Sequence, residues 1–254
     1  MNYLKTNRTM TGDLPAWMER TTQLLGEKKM RTLLDAHVLI AGLGGVGSMT
    51  AEMLVRAGIG ELTLVDNDTV QPSNINRQVP AVHSTIGRNK VEVMEERLKD
   101  IHPGVIIHQK KVFLDEGSIA QLLSSPYDFV VDAIDTLTPK ILFIEKTVKS
   151  GYRLASSMGS GGKTDPSLIR VDDFSKSHHC RLAYLLRKNL RKMGIERGFK
   201  VVYSTELVDK DHLVTVDNER NKKSLLGTVS YIPAIFGCML ASIVIKGLTE
   251  PDND

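Results

Sequence analysis

Apolar residues recur at helical spacing from Leu14 to Asp35, at Leu14, Trp17, Met18, Leu24, Leu25, Met30, Leu33 and Leu34, which predicts a helix there. The run His37-Val38-Leu39-Ile40-Ala41 is short, apolar and bounded by glycine, the signature of a buried strand. A glycine-rich turn, Gly42 to Gly47, leads into a helix expected to reach about Ala57, where Gly58-Ile59-Gly60 stops it. Leu62-Thr63-Leu64-Val65 forms the next strand and ends on Asp66. Residues 67 to 85 carry Pro72, Ser73, Asn74, Asn76 and Pro80 and read as irregular. An amphipathic helix follows from Arg88 to Ile101, a strand from Val105 to His108 and a short helix from Ser118 to Ser124. Phe129 to Ala133 is a strand, a helix starts near Pro139, and Tyr152 to Ser156 begins another strand.

Strands thus alternate with helices at intervals that require crossover connections. The expected class is α/β, a Rossmann-like, mostly parallel sheet with helices on both faces and an elaborated C-terminal region. The division falls near the Gly159-Ser160-Gly161-Gly162 turn, giving units 1–158 and 159–254. In the second unit Leu168 to Val171 reads as a strand, Arg181 to Met193 as a basic amphipathic helix and Asp209 to Lys223 as a polar, mobile loop. The apolar stretch from Tyr231 to Ile245 is interrupted by Pro233, Gly237 and Ser242. It falls short of the roughly 20 residues that span a bilayer, so a buried helix and no stable membrane insertion are expected.

Length and composition add limits to this picture. The chain has 254 residues, 41% hydrophobic and 25% charged, enough for a sizeable core. A net charge of +3 is too small to argue for nucleic acid unless the charge is clustered. The two cysteines, Cys180 and Cys238, cannot build a tetracysteine zinc site or a disulfide framework. No zinc is expected, and the compartment reads as reducing cytoplasm. Met1 to Asp13 is polar and lacks the apolar core of a signal peptide.

Gly42-Leu43-Gly44-Gly45-Val46-Gly47 is a G-x-G-x-x-G turn between a strand and a helix, and Asp66 lies 19 residues beyond Gly47. Such glycines let the backbone approach a phosphate at a helix N-terminus, and the acid grips a ribose hydroxyl pair. That much fits NAD as well as ATP. A triphosphate carries more charge than a dinucleotide's pyrophosphate and calls for cations or a metal. Candidates follow the second strand: Asp66-Asn67-Asp68, then Ser73-Asn74-Ile75-Asn76-Arg77-Gln78, then Lys90. Asp135 sits just past the Phe129 strand, where open α/β sheets place ligand groups. Arg77 and Lys90 can neutralise a departing pyrophosphate, and a carboxylate such as Asp135 can hold Mg²⁺ against phosphates.

These blocks, with Ile86-Gly87-x-x-Lys90 and Asp132-Ala133-Ile134-Asp135, occur in an order that resembles the ThiF/MoeB/E1 adenylation superfamily over about residues 15 to 160. The resemblance implies that Gly42, Gly44, Gly45, Gly47 and Asp66 bind the adenosine end of ATP. Asp68, Asn74 and Gln78 belong to the same ATP-site blocks. Asn76, Arg77 and Lys90 contact phosphates, Arg77 from across a homodimer, and Asp135 is the Mg²⁺-associated acid. Arg77, Lys90 and Asp135 are the candidate catalytic residues. Later blocks, Gly159-Ser160-Gly161-Gly162-Lys163-x-Asp165-Pro166, Ser204-Thr205-Glu206 and Gly227 to Pro233, look like those of the tRNA threonylcarbamoyladenosine dehydratases. These enzymes use ATP to cyclise a modified adenosine beside the anticodon. With that resemblance come ATP and Mg²⁺ as cofactors, a monovalent cation as a further candidate, and a sulfur-transfer protein as a candidate partner.

A tRNA substrate calls for a basic surface. From Arg181 to Lys200 there are seven Lys or Arg residues and one Glu. Arg181, Arg187, Lys188, Arg191 and Lys192 lie largely off the apolar stripe of their helix and are the candidate tRNA contacts. The rival reading is adenylation of the C-terminal glycine of a ubiquitin-like or sulfur-carrier protein, which shares the ATP site but calls for a thiol or zinc module. A NAD-dependent oxidoreductase leaves Arg77 and Lys90 without use, and a silent binding scaffold leaves the nucleotide motif without use.

Overall fold

The computed structural model describes residues 14–208, 213–215 and 224–250. The polar Met1 to Asp13 segment and most of the Asp209 to Lys223 loop lie outside the described residues.

The chain begins with α1 (Glu19–Leu25) and α2 (Glu27–Asp35). The single helix expected over Leu14 to Asp35 is therefore broken, because Gly26 takes φ +83°, which a right-handed helix does not contain. Then come β1 (His37–Ala41), α3 (Gly45–Ala57), β2 (Glu61–Val65), α4 (Lys90–Ile101) and β3 (Ile106–Lys110). They are followed by α5 (Glu116–Leu122), β4 (Phe129–Asp132), α6 (Leu137–Lys149) and β5 (Leu154–Ser157). The second half supplies β6 (Ile169–Asp173), α7 (Arg181–Arg191), β7 (Lys200–Ser204), a small hairpin of β8 (Leu213–Thr215) and β9 (Ser224–Leu226), and α8 (Tyr231–Thr249).

Seven strands form one sheet in the order β3-β2-β1-β4-β5-β7-β6, parallel except for the antiparallel edge strand β6. Side chains alternate across it. Val38 and Ile40 of β1 face a core shared with α3, α4 and α8, whereas Leu39 and Ala41 face a second core under α5, α6 and α7. Burial on both faces explains why these strands read as continuous apolar runs. The result is the three-layer α/β arrangement expected from the sequence. Residues 159–254 extend the same sheet with β6 and β7 and roof it with α8.

The apolar stretch expected to end at Ile245 continues as a helix to Thr249, so among the described residues one helix, α8, is after all long and apolar enough to cross a bilayer. It instead lies along α3 and over β4, β5 and β7. Ile232, Phe236, Leu240, Ala241 and Val244 are buried in that contact. Gly237 sits where a Cβ would fall 2.6 Å from the Val46 carbonyl, so the two helices touch backbone to backbone.

Candidate adenylation site

The strand order reverses direction between β1 and β4, and the crevice beyond their C-terminal ends is where open α/β sheets bind ligands. The glycine loop occupies that crevice. A Cβ on Gly47 would lie 1.8 Å from the Gly42 carbonyl oxygen, so only glycine lets the loop fold back over the start of α3. The first N–H groups of α3 then face the crevice.

Asp66, at the tip of β2, holds this loop. Its Oδ2 accepts the Leu43 N–H at 2.7 Å, and its Oδ1 accepts the Asp68 N–H at 2.8 Å. Burial raises the carboxyl above its ordinary range, opposed by the charge of Lys90 and by those two N–H groups. Lys90, at the first position of α4, reaches back 2.8 Å to Asp68 Oδ2. Its side chain is 6% exposed against 60% for Asp68, so the lysine is buried almost entirely while its acid partner faces solvent, and its charge acts on Asp66.

The Ser73 to Gln78 segment lies over the loop. Arg77 packs its Cγ 3.3 Å from the Cβ position of Gly45, and its Nη1 donates to Ser73 O and to Asn76 Oδ1. Asn76 in turn donates to the Thr228 carbonyl at 3.0 Å. Gln78 is buried beside Gly44, and its Oε1 has no hydrogen-bond partner among the described residues. Asn74 has a different role from its neighbours: it is buried and its Oδ1 accepts the Gln71 N–H, closing a turn.

The two acids of Asp132-Ala133-Ile134-Asp135 part ways. Asp132 is fully buried and bonded to Lys140 Nζ and Ser156 Oγ, each at 2.6 Å. Asp135 is exposed at the crevice mouth. The Lys140 ammonium also donates to Ile134 O, and Ile134 N donates to Asp132 Oδ1, so the buried pair fixes the loop that presents Asp135.

Three later blocks converge on the same edge. Lys163 is 2% exposed and donates to the Glu206 carbonyl, and burial lowers its pKa. The Glu206 carboxylate accepts the N–H groups of Thr164 and Asp165 and the Thr164 hydroxyl. Gly162 N donates to Gly227 O, and Tyr231 Oη donates to Thr164 O. No local pattern in the sequence links Lys163 to Glu206, because 43 residues separate the pair.

Along α7, Arg181, Lys188, Arg191 and Lys192 are exposed. Arg187 differs: it is half-buried and donates to Ser177 O and Ser177 Oγ, tying α7 to the preceding turn. Cys180 is buried and caps α7, whereas Cys238 is exposed on α8.

The profile of the ThiF family matches residues 18–254. The chain belongs to the ThiF family. Among ThiF relatives, the tRNA threonylcarbamoyladenosine dehydratase of Bacillus subtilis is 35% identical over 238 residues, covering 91% of this chain and 94% of the relative. That of Escherichia coli K12 is 38% identical over 201 residues, 75% of each chain. The crystal structure of the Escherichia coli enzyme, TcdA, in complex with ATP superposes with a TM-score of 0.83 at 34% identity, covering 91% of this chain and 93% of that one. This ThiF fold therefore matches an ATP-bound relative across nearly its whole length.

Proposed function

We propose that this chain is an ATP-dependent tRNA threonylcarbamoyladenosine dehydratase, which activates the threonyl carboxylate of its substrate as an acyl-adenylate and closes it into a ring. The observation that carries the reading is the near-complete overlap with the ATP-bound Escherichia coli enzyme, with the glycine loop, Asp66, Lys90 and Asp135 gathered at one sheet crevice.

In the proposed reaction a carboxylate oxygen attacks the α-phosphate of ATP and pyrophosphate leaves. A nucleophilic atom of the neighbouring carbamoyl group then attacks the acyl carbon, and AMP departs. The net change in the nucleoside is loss of one water. The attacking group already belongs to the substrate, so effective molarity replaces an enzyme nucleophile. The chain's contribution is positioning and charge stabilisation. The loop N–H groups cradle phosphate, Asp66 holds the ribose, and Lys90 and Arg77 balance charge developing on the departing pyrophosphate.

The donor set fits Mg²⁺, which takes one or two carboxylates together with substrate phosphates and water. Asp135 is that carboxylate, and the ion would neutralise phosphate charge there. A monovalent cation would sit near the Gly159 to Gly162 turn. The exposed cations of α7 supply a face for tRNA phosphates. A homodimer would bring Arg77 to the partner's ATP, and a sulfur-transfer protein is a candidate partner. The setting is cytoplasmic.

The test is incubation with ATP, Mg²⁺ and threonylcarbamoyl-modified tRNA, followed by nucleoside mass spectrometry. Loss of one water from the modified adenosine supports the reading. An unchanged nucleoside, with pyrophosphate exchange driven by a small β-grasp protein, would replace it with adenylation of a protein C-terminus.

A further inference from the structure

The end of the sheet opposite the glycine loop carries a second gathering of polar side chains. His37 opens β1 and Glu61 opens β2, and the two are register partners. His108 lies in β3 opposite Thr63. Because side chains alternate along strands, His37, Glu61, Thr63 and His108 project from one face, the face that also carries Leu39 and Val65.

One ligand atom each from His37, Glu61 and His108 fall within 4.8 Å of one another. Glu61 Oε1 is 3.5 Å from His37 Nδ1 and 2.7 Å from His108 Nε2. The other nitrogen of His37, Nε2, is 2.9 Å from Thr63 Oγ1, which fixes the ring and turns Nδ1 towards Glu61. Tyr127 packs edge-on against the same ring at 4.7 Å between centroids and limits its rotation.

We propose that His37, Glu61 and His108 bind a divalent transition-metal ion of the zinc type. Two imidazoles and a carboxylate are a set that holds Zn²⁺ and leaves a fourth position to water. With zinc bonds of about 2.0–2.1 Å, tetrahedral ligand atoms stand about 3.4 Å apart, close to the His37–Glu61 separation. His108, the most exposed of the three at 43%, has room to open its shorter contact by that amount. Three ligands on adjacent strands of one sheet are rigidly placed, and the hydroxyl on His37 is the outer partner that such ligands use. Mg²⁺ prefers an all-oxygen shell, so it would not compete here. The exclusion of zinc from the cysteine count covers thiolate sites and leaves this donor set untouched. The ion lies away from the nucleotide crevice and ties together the N-terminal ends of β1, β2 and β3.

The test uses the metal-stripped full chain, titrated with Zn²⁺ against a chromophoric chelator, with Co²⁺ absorption reporting geometry. One ion per chain, a rise in Tm and a four-coordinate Co²⁺ spectrum are expected. His108→Ala and Glu61→Ala should each weaken binding by at least about 100-fold, and Thr63→Val, which removes only the outer hydroxyl, by about tenfold. Replacing both His178 and His179, an exposed pair 4.8 Å apart between ring centroids, should change nothing. His108 stands on an edge strand, and circular dichroism checks that its variant folds. The proposal falls if the chelator strips all metal from the chain. It falls equally if His108→Ala binds as tightly as the parent, or if binding is lost with His178 and His179.

Discussion

Lys140→Met probes how the crevice is held in shape. Lys140 and Asp132 are both fully buried, 2.6 Å apart. Lys140 also sits in the first turn of α6, where the helix dipole disfavours a cation. Its partners are Asp132 and the Ile134 carbonyl. Methionine keeps most of the side-chain volume but leaves a buried carboxylate facing only Ser156 and the Ile134 N–H. Breaking a buried pair in this way costs about 3–5 kcal/mol. That is a large share of the about 5–15 kcal/mol that holds a typical domain, and it corresponds to a drop in Tm of about 6–20 °C at this chain length. Asp132→Asn should also destabilise. The double variant, with no uncompensated charge, should recover part of the loss and show a coupling energy of about 1–3 kcal/mol. The assay is urea unfolding of the four proteins, followed by cyclisation rates at a temperature where all are folded. Because both backbone polar groups of Ile134 depend on the pair, the rate should fall in Lys140→Met even though Asp135 is intact. A loss below about 1 kcal/mol, or additive single effects, would refute the account.

Four further outcomes are expected. Asp135→Ala should abolish cyclisation while leaving stability within about 0.5 kcal/mol of the parent, as exposed substitutions do; normal turnover would remove Asp135 from the reaction. Gly237→Ala should cost at least about 1–3 kcal/mol in denaturant unfolding, since its Cβ meets Val46 O at 2.6 Å and Met49 Cβ at 2.7 Å, and an unchanged midpoint would deny the close α3–α8 contact. Neutralising Arg181, Lys188, Arg191 and Lys192 together, with Arg187 kept for its bonds to Ser177, should weaken tRNA binding and flatten its salt dependence, read by filter binding. Burial lowers the pKa of His102 from its ordinary 6.5, so the folded chain resists protonating it; stability should decline as pH falls below about 6.5, and His102→Leu should flatten that decline in Tm against pH.

Apart from the break at Gly26, the strands and main helices of the first 158 residues were legible because a doubly covered parallel sheet writes apolar runs between glycine and acid punctuation. No strand is expected at Lys200-Val201-Val202-Tyr203-Ser204, yet it forms β7 and carries the β-branched and aromatic signal of a strand. At the candidate site, the places of Gly42 to Gly47, Asp66 and Lys90 in the fold were readable because each stands just after a strand or at a helix start. The roles of Asn74 and Arg187 were not, since a side chain that closes a turn has the same letter as one that meets a ligand. Which acid of the Asp132 to Asp135 block faces solvent depends on the α6 lysine folded beneath it. The His37, Glu61 and His108 group spans three strands, and only their register brings it together.

The two lysine–aspartate pairs near the crevice differ in burial, and the difference bears on the proposed adenylation. Lys140–Asp132 is sealed from water, so exchanging either partner for a ligand would strand a charge. It serves as a fixed strut. Lys90–Asp68 has the same length to within a few tenths of an ångström, but its acid is 60% exposed. Because that acid can return to water, a phosphate oxygen could replace it at the ammonium without stranding a buried carboxylate. The lysine's buried stem means that the charge is already aimed when ATP arrives, and little side-chain freedom remains to be lost. A dinucleotide's pyrophosphate could be held by the helix terminus alone. A triphosphate that must shed pyrophosphate would gain from a cation positioned in advance, and the buried stem of Lys90 fits that proposed role.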